Sequence, residues 1–341
     1  MRIALDAMGG DFAPDNEVQG AVLAAESVSS KTDLEVIFVG REQDIRASLS
    51  KIDSSKLHYS IVHADDIVGM GDEASTVVKK KRNSSLFKGI ELHADGKADG
   101  FVSTGNTGAV MSTATLVLGR VKGVSRPTIG SFFPTVNNRP ALLVDAGANI
   151  DCKARHLYEF AIMGSIYYSQ ILDVEFPKVG LLNVGEERTK GTEVVLQTYD
   201  LLEQSPLNFI GNVEGRDILF GNADVFVCDG FTGNIILKFA ESIIGVLKAK
   251  VQQHADKGIL EKLMVGAMAP TLRKVLKEFD YQEYGGVPLL GVNGVAIIGH
   301  GKSSPKAIQN MIVRAVDVAT KNVNGLIAST LASLTIPTDN N

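Results

Sequence analysis

The 341-residue chain lacks most of the signatures that would announce a chemistry. Its two cysteines, Cys152 and Cys228, form no motif and read as buried, reduced thiols rather than catalytic ones. Six histidines show no metal-ligand spacing, and no H-E-x-x-H occurs, so no metal is expected. There is no G-x-x-x-x-G-K-[ST], and the glycine turns show G-x-x-G spacing where a dinucleotide site needs G-x-G-x-x-G, which counts against kinase and dehydrogenase chemistry. The G-x-S-x-G elbow is missing too, so an enzyme built on this chain works without a covalent serine or a catalytic zinc. Positive charge is in deficit: a formal net charge of -5 argues against nucleic acid as a partner. No stretch approaches the ~18 uninterrupted apolar residues of a spanning helix. The first strand-like run begins directly after Met1, without room for a signal peptide, and a soluble cytoplasmic chain is expected.

What remains is an ordinary globular composition, 45% hydrophobic and 21% charged, in a chain longer than one core usually supports. A large α/β body of two lobes around a cleft is expected over 1–330, with a polar tail over 331–341 that is disordered from Thr335. Strand-like runs occur at Arg2 to Leu5, Leu34 to Val39, Leu57 to Val62, Phe101 to Ser103, Ala141 to Val144, Val179 to Asn183, Phe209 to Val213, Val225 to Cys228 and Val295 to Ile298. Helical spacing fills Asp15 to Ser27, Thr107 to Val121, Arg155 to Leu172, Thr192 to Leu202, Ile235 to Gln252 and Lys306 to Val323. The alternation predicts an α/β fold with a doubly wound, mostly parallel sheet. The segment Asp65 to Asp95 has no strand pattern and carries the basic run Lys79, Lys80, Lys81 and Arg82, so it is expected over the cleft rather than in the sheet.

Six strand-like runs stop at a tight turn before a helix: Asp6 to Asp11, Ser103 to Gly108, Asp145 to Asn149, Asn183 to Glu187, Asp229 to Asn234 and Gly299 to Ser303. If the strands are parallel neighbours, all six turns share one carboxyl edge, where open α/β folds bind ligands. Glycine admits close backbone approach, and the first amides of each helix are unpaired donors at a positive dipole end. The pattern predicts a cleft for phosphate or a similar anion.

In order over nearly the whole chain, Asp6-Ala7-Met8-Gly9-Gly10-Asp11, Ser103-Thr104-Gly105-Asn106-Thr107-Gly108-Ala109, Asp145-Ala146-Gly147-Ala148-Asn149, Leu181 to Glu187 and Asp229-Gly230-Phe231-Thr232-Gly233-Asn234 closely resemble the phosphate acyltransferase family of bacterial phospholipid synthesis. The resemblance implies a fold like isocitrate/isopropylmalate dehydrogenases and phosphotransacetylases. It also implies transfer of a fatty acyl group from acyl carrier protein to inorganic phosphate, with no cofactor. It further implies a homodimer at the cytoplasmic membrane surface that passes acyl phosphate to a membrane glycerol-3-phosphate acyltransferase. Lys190 and Asn234 occupy positions of family residues proposed to act; Lys190 is expected to bind phosphate and stabilise charge, and Asn234 to donate to the oxyanion or phosphate.

Substrate contacts are expected from Asp6, Gly9, Gly10, Asp11, Gly105, Asn106, Thr107, Gly108, Asp145, Asn149, Gly185, Glu186, Asp229, Thr232, Gly233, His300 and Ser303. Each has a plainer use: Asn234 could cap a helix at Ile235, and Asp6, Asp145 and Asp229 could fix turns or hold a divalent metal. The basic run is expected to receive the acidic carrier protein, although a solvated charge run reads equally well. Gly258 to Asp280 reads as an insertion of two short amphipathic helices broken at Pro270, with Leu260, Leu263, Met264 and Met268 as membrane contacts or as part of a packed interface. Other readings are a phosphotransacetylase using acyl-CoA, a decarboxylating dehydrogenase and a non-catalytic membrane-surface scaffold.

Overall fold

The computed structural model describes residues 1–28, 33–137, 139–277 and 284–334. The strands are β1 (Arg2–Asp6), β2 (Glu35–Gly40), β3 (His58–His63), β4 (Gly100–Ser103), β5 (Thr128–Phe133), β6 (Ala141–Val144), β7 (Lys178–Leu182), β8 (Asn208–Val213), β9 (Val225–Val227), β10 (Val287–Leu290) and β11 (Ala296–Ile298). The helices are α1 (Asp15–Val28), α2 (Glu42–Leu49), α3 (Ala74–Lys80), α4 (Ser85–Ala94), α5 (Thr107–Val117), α6 (Ala154–Leu172), α7 (Glu193–Glu203), α8 (Asp217–Phe220), α9 (Gly230–Ala255), α10 (Ile259–Lys277), α11 (Pro305–Thr320) and α12 (Val323–Ser333). The strands form one sheet in the order β3-β2-β1-β4-β11-β10-β5-β6-β9-β7-β8. Central strands such as β1, β4, β6 and β9 are apolar without alternation because helices cover both faces.

Two strands absent from the sequence reading, β5 and β10, give the sheet its character. Pro288 and the Gly130-Ser131 pair hide them from a pattern search. Because β10 is antiparallel to β11 and to β5, and β5 is antiparallel to β6, the half β6-β9-β7-β8 runs opposite to the half β3-β2-β1-β4-β11. The six turns therefore do not share a single carboxyl edge. Three end strands of one half and three end strands of the other, and the halves meet across β10 and β5.

The core lies in layers. One cluster joins α1, α6 and α11 under the sheet, with Phe160, Tyr167, Val18, Ile308 and Ile312 buried. A second joins α4 and α5 on the other face, with Leu86, Ile90, Ala109 and Val110 buried. Helix α4 is thus a body helix rather than part of a cover, while the loop Gly69–Asp72 does lie at the cleft: Asn106 Nδ2 donates to the carbonyls of Gly69, Met70 and Asp72. Cys152 and Cys228 are buried and form no disulfide, sitting just before α6 and just after β9. Burial pushes the Cys152 thiol up to about 12.

Helix α10 continues through Pro270 instead of breaking there. The residue one turn earlier, Gly266, lies in open space, so the carbonyl that loses its partner can turn to water. Leu260, Leu263, Met264 and Met268 are all exposed. Helix α9 is, among the described residues, the one helix long and apolar enough to cross a membrane by length and composition, and 12% of its apolar window is buried. The expected 331–341 tail is helical through Ser333; 335–341, and 278–280 of the amphipathic segment, lie outside the described residues.

Candidate active site

A cavity of about 590 Å³ lies where the two halves of the sheet meet. Three helix starts surround it. Helix α5 is capped by Asn106, whose Oδ1 accepts from the Ala109 amide at 3.0 Å. Helix α11 is capped by Ser304, which accepts from Ala307, and α9 is capped by Asp229, which accepts from Thr232. Thr107 and Gly108 line the cavity, and as first-turn residues of α5 their amides have no acceptor among the described residues. Such donors at a positive helix end suit an anion.

Of the residues expected to touch substrate, Asp11, Gly105, Asn106, Thr107, Gly108, Asn234, His300 and Ser303 line this space. Because Asp229 caps α9, Asn234 is free of the capping role that its sequence position allowed. It lies exposed in the second turn, and a Cβ on Gly147 would sit 3.4 Å from its Oδ1. The His300 Nδ1 accepts from the Lys302 amide at 3.1 Å, which orients the ring at the mouth. Lys238 also lines the cavity and pairs with Glu241 at 2.9 Å.

The other expected contacts are scaffolding. Asp145 is buried and accepts from the amides of Ile129, Gly147, Ala148 and Asn149, and burial raises its pKa. The Asn149 side chain donates to Asp145 and to Pro127. Both Thr232 donors are spent on Asp229. A Cβ on Gly233 would lie 1.9 Å from the Asp145 carbonyl oxygen, so this glycine lets α9 seat on the β6 turn. Gly9 and Gly10 pack against Gly105 and Thr104 rather than facing the cavity. Gly185 is buried and Glu186 faces Arg216 at 3.5 Å; neither lines the cavity. Lys190 is exposed on the same turn after β7 and does not line the cavity either, because β7 is separated from β6 by β9. With each aspartate held in its own loop, no three of His, Cys, Asp and Glu come together as metal ligands among the described residues.

Within the basic run, Lys81 pairs with Asp72 at 2.5 Å and Arg82 lies over the Phe87 ring at 5.7 Å, while Lys79 and Lys80 are exposed. Ser84 caps α4, accepting from the Phe87 amide at 3.3 Å.

Sequence reasoning missed Glu17, although it occupies the apolar stripe of α1 with Val18, Ala21, Ala24 and Val28. Its Oε1 accepts from Thr104 at 2.8 Å, while Oε2 is buried without a partner. Burial, with nearby Asp6, pushes its pKa up to about 7. The folded state therefore holds a proton that the unfolded chain releases near 4.5, and stability should fall as pH rises from about 4.5 to about 7. At ~1.4 kcal/mol per unit, Glu17→Gln should stabilise the protein at pH 8 by on the order of 3 kcal/mol and do little at pH 4. Denaturant melts of both proteins across this range check it; parallel stability curves would mean that Glu17 is not the titrating group.

The chain matches the family model described as "Fatty acid synthesis protein" over residues 1–326. It is 42% identical to the phosphate acyltransferase of Dictyoglomus thermophilum over 336 residues, 98% of this chain and 99% of the relative. It is 46% identical to that of Heliobacterium modesticaldum over 313 residues, 92% of each chain. Among solved structures it is similar to a phosphotransacetylase from Streptococcus pyogenes, with a TM-score of 0.61 at 18% identity and 94% of both chains covered. The EutD phosphotransacetylase from Staphylococcus aureus gives a TM-score of 0.58, also at 18% identity and 94% coverage of both chains. At that identity the structures support the mixed α/β fold with its large, mostly parallel sheet.

Proposed function

Given that the chain belongs to this family of fatty acid synthesis proteins, the phosphate acyltransferases, and is an acyltransferase, we propose that it moves a fatty acyl group from acyl-acyl carrier protein to inorganic phosphate. The observation that carries the reading is the cavity in which the unpaired Thr107 and Gly108 amides share one wall system with Asn234 and His300. Phosphate held at the start of α5 is itself the nucleophile, so the missing serine, cysteine and zinc motifs cost nothing. A phosphate oxygen attacks the thioester carbonyl, the carbonyl oxygen takes up negative charge, and the carbon–sulfur bond breaks to give acyl phosphate and the carrier thiol. The Asn234 amide stabilises the developing oxyanion, and His300 assists at the mouth.

Lys190 enters this reading through the expected homodimer, in which the exposed turn after β7 would offer it to the cavity of the second copy as a phosphate ligand. Lys79, Lys80 and Arg82 draw in the acidic carrier protein. Acyl phosphate should form faster from acyl-ACP than from acyl-CoA at equal concentration. The reverse order would make the protein a phosphotransacetylase-type enzyme instead.

The product is destined for a membrane glycerol-3-phosphate acyltransferase and for phospholipid synthesis, which calls for a peripheral position on the cytoplasmic membrane surface. Helix α10 supports this, because Leu260, Leu263, Met264 and Met268 are exposed beside Lys257 and Lys262. The exposed Phe231, Ile235 and Phe239 of α9 offer an apolar face for a second copy to cover. Replacing Leu263 and Met264 with glutamate should abolish binding to anionic vesicles in a sedimentation assay and leave acyl phosphate synthesis in solution intact. Loss of the dimer in that variant would assign the face to subunit packing.

A further inference from the structure

The cavity lining divides into polar residues at the mouth and a set of buried apolar side chains, its apolar arm, that the anion site does not use. Asn106, Thr107, Gly108, Asn234 and His300 at the mouth are exposed or half-buried, whereas Ile129, Phe132, Ile298 and Met311 are at most 5% exposed. The apolar lining belongs to both cores: Ile129 and Ile298 to the α4–α5 side, Phe132 and Met311 to the α6–α11 side. The apolar lining therefore draws on both layers, at the end of β11 and the start of β10. At its floor the Phe132 ring is 6.3 Å from Tyr284 and is backed by Tyr167 at 5.9 Å. Met311 is fixed between two glycines: a Cβ on Gly299 would lie 2.6 Å from its Sδ, and one on Gly286 2.8 Å from its Cγ.

We propose that this arm receives the alkyl chain of the acyl donor and that Met311, at its floor, sets the length of chain that fits. The proposal rests on the acyl-transfer reading for the identity of the donor. A linear alkyl chain is the occupant that this lining favours, since these buried side chains are mostly apolar and share one cavity with the polar residues of the mouth. Ser131, buried and lining the arm, is the small residue on the opposing strand where added bulk would block it. Misfit of one methylene in an apolar pocket changes selectivity about tenfold or more.

Binding of saturated fatty acids from octanoate to stearate, measured by displacement of a fluorescent fatty-acid probe, tests this without requiring turnover. Met311→Ala should shift the preferred length upward and favour stearate over octanoate about tenfold relative to the parent. Ser131→Leu should shift it down, and the volume-matched Met311→Leu should keep the parental profile and report that the fold survives. Unchanged profiles in Met311→Ala and Ser131→Leu, or no displacement by any fatty acid, would overturn the proposal. If the length shifts appear in binding but no acyl phosphate forms, the transfer reading falls and the arm stands. If acyl phosphate forms with a length profile that neither variant moves, the arm falls alone.

Discussion

Asn234→Ala should lower turnover about 10²-fold or more, the usual cost of removing one oxyanion donor, with the melting temperature unchanged. The side chain is exposed at the cavity and does not cap α9, so its loss removes a donor and no helix bond. Lys190→Ala should lose turnover comparably, although it lies outside its own chain's cavity. If each site takes Asn234 from one copy and Lys190 from the other, mixing the two inactive variants under subunit exchange should restore part of the activity. Mixed samples no more active than the separate variants would place both residues in one chain's chemistry or remove Lys190 from it. Near-normal activity of Asn234→Ala would remove the oxyanion assignment.

Gly233→Ala, one residue away, should fail for a different reason. Its Cβ would meet the Asp145 carbonyl oxygen at 1.9 Å, and both partners are backbone, so neither side can yield by changing a rotamer. Helix α9 would have to lift from the β6 turn, which also holds Asp145 with its cluster of amide donors. The expected loss is about 3 kcal/mol of stability, the upper end of the usual overpacking cost, read as a lowered denaturation midpoint. The same measurement on Asn234→Ala should show no shift, and a stable Gly233→Ala would mean that the helix start is free to move.

The sequence announced the strand-turn-helix units because each apolar run ends in a glycine- or aspartate-rich turn whose residues must meet exacting backbone demands. It did not announce how the units are joined. Strands β5 and β10 are short, one carries Pro288 and the other Gly130, and their pairing is a tertiary decision that reverses half the sheet. For the same reason turn residues were legible as a set but not by role. Asp145, Asn149, Thr232 and Gly233 build the cleft from behind, and Asn106, Thr107, Gly108 and Asn234 face it. Only the direction of each loop separates the two groups, and no local pattern records that direction. Glu17 is the opposite case, since a carboxylate on an apolar helical stripe was visible in the spacing of α1. The unbroken α10 shows that a proline outweighs its neighbours less on an open surface than in a packed helix.

In the proposed reaction phosphate itself attacks the acyl thioester in the cavity between the sheet halves. Purified protein incubated with acyl-ACP, with and without radiolabelled inorganic phosphate, and assayed for free carrier thiol and for label incorporated into acyl phosphate measures it most directly. Equal amounts of free carrier thiol and acyl phosphate are expected, both dependent on phosphate and both lost together in Asn234→Ala. Thiol release that proceeds without phosphate, or no release with phosphate present, would contradict it.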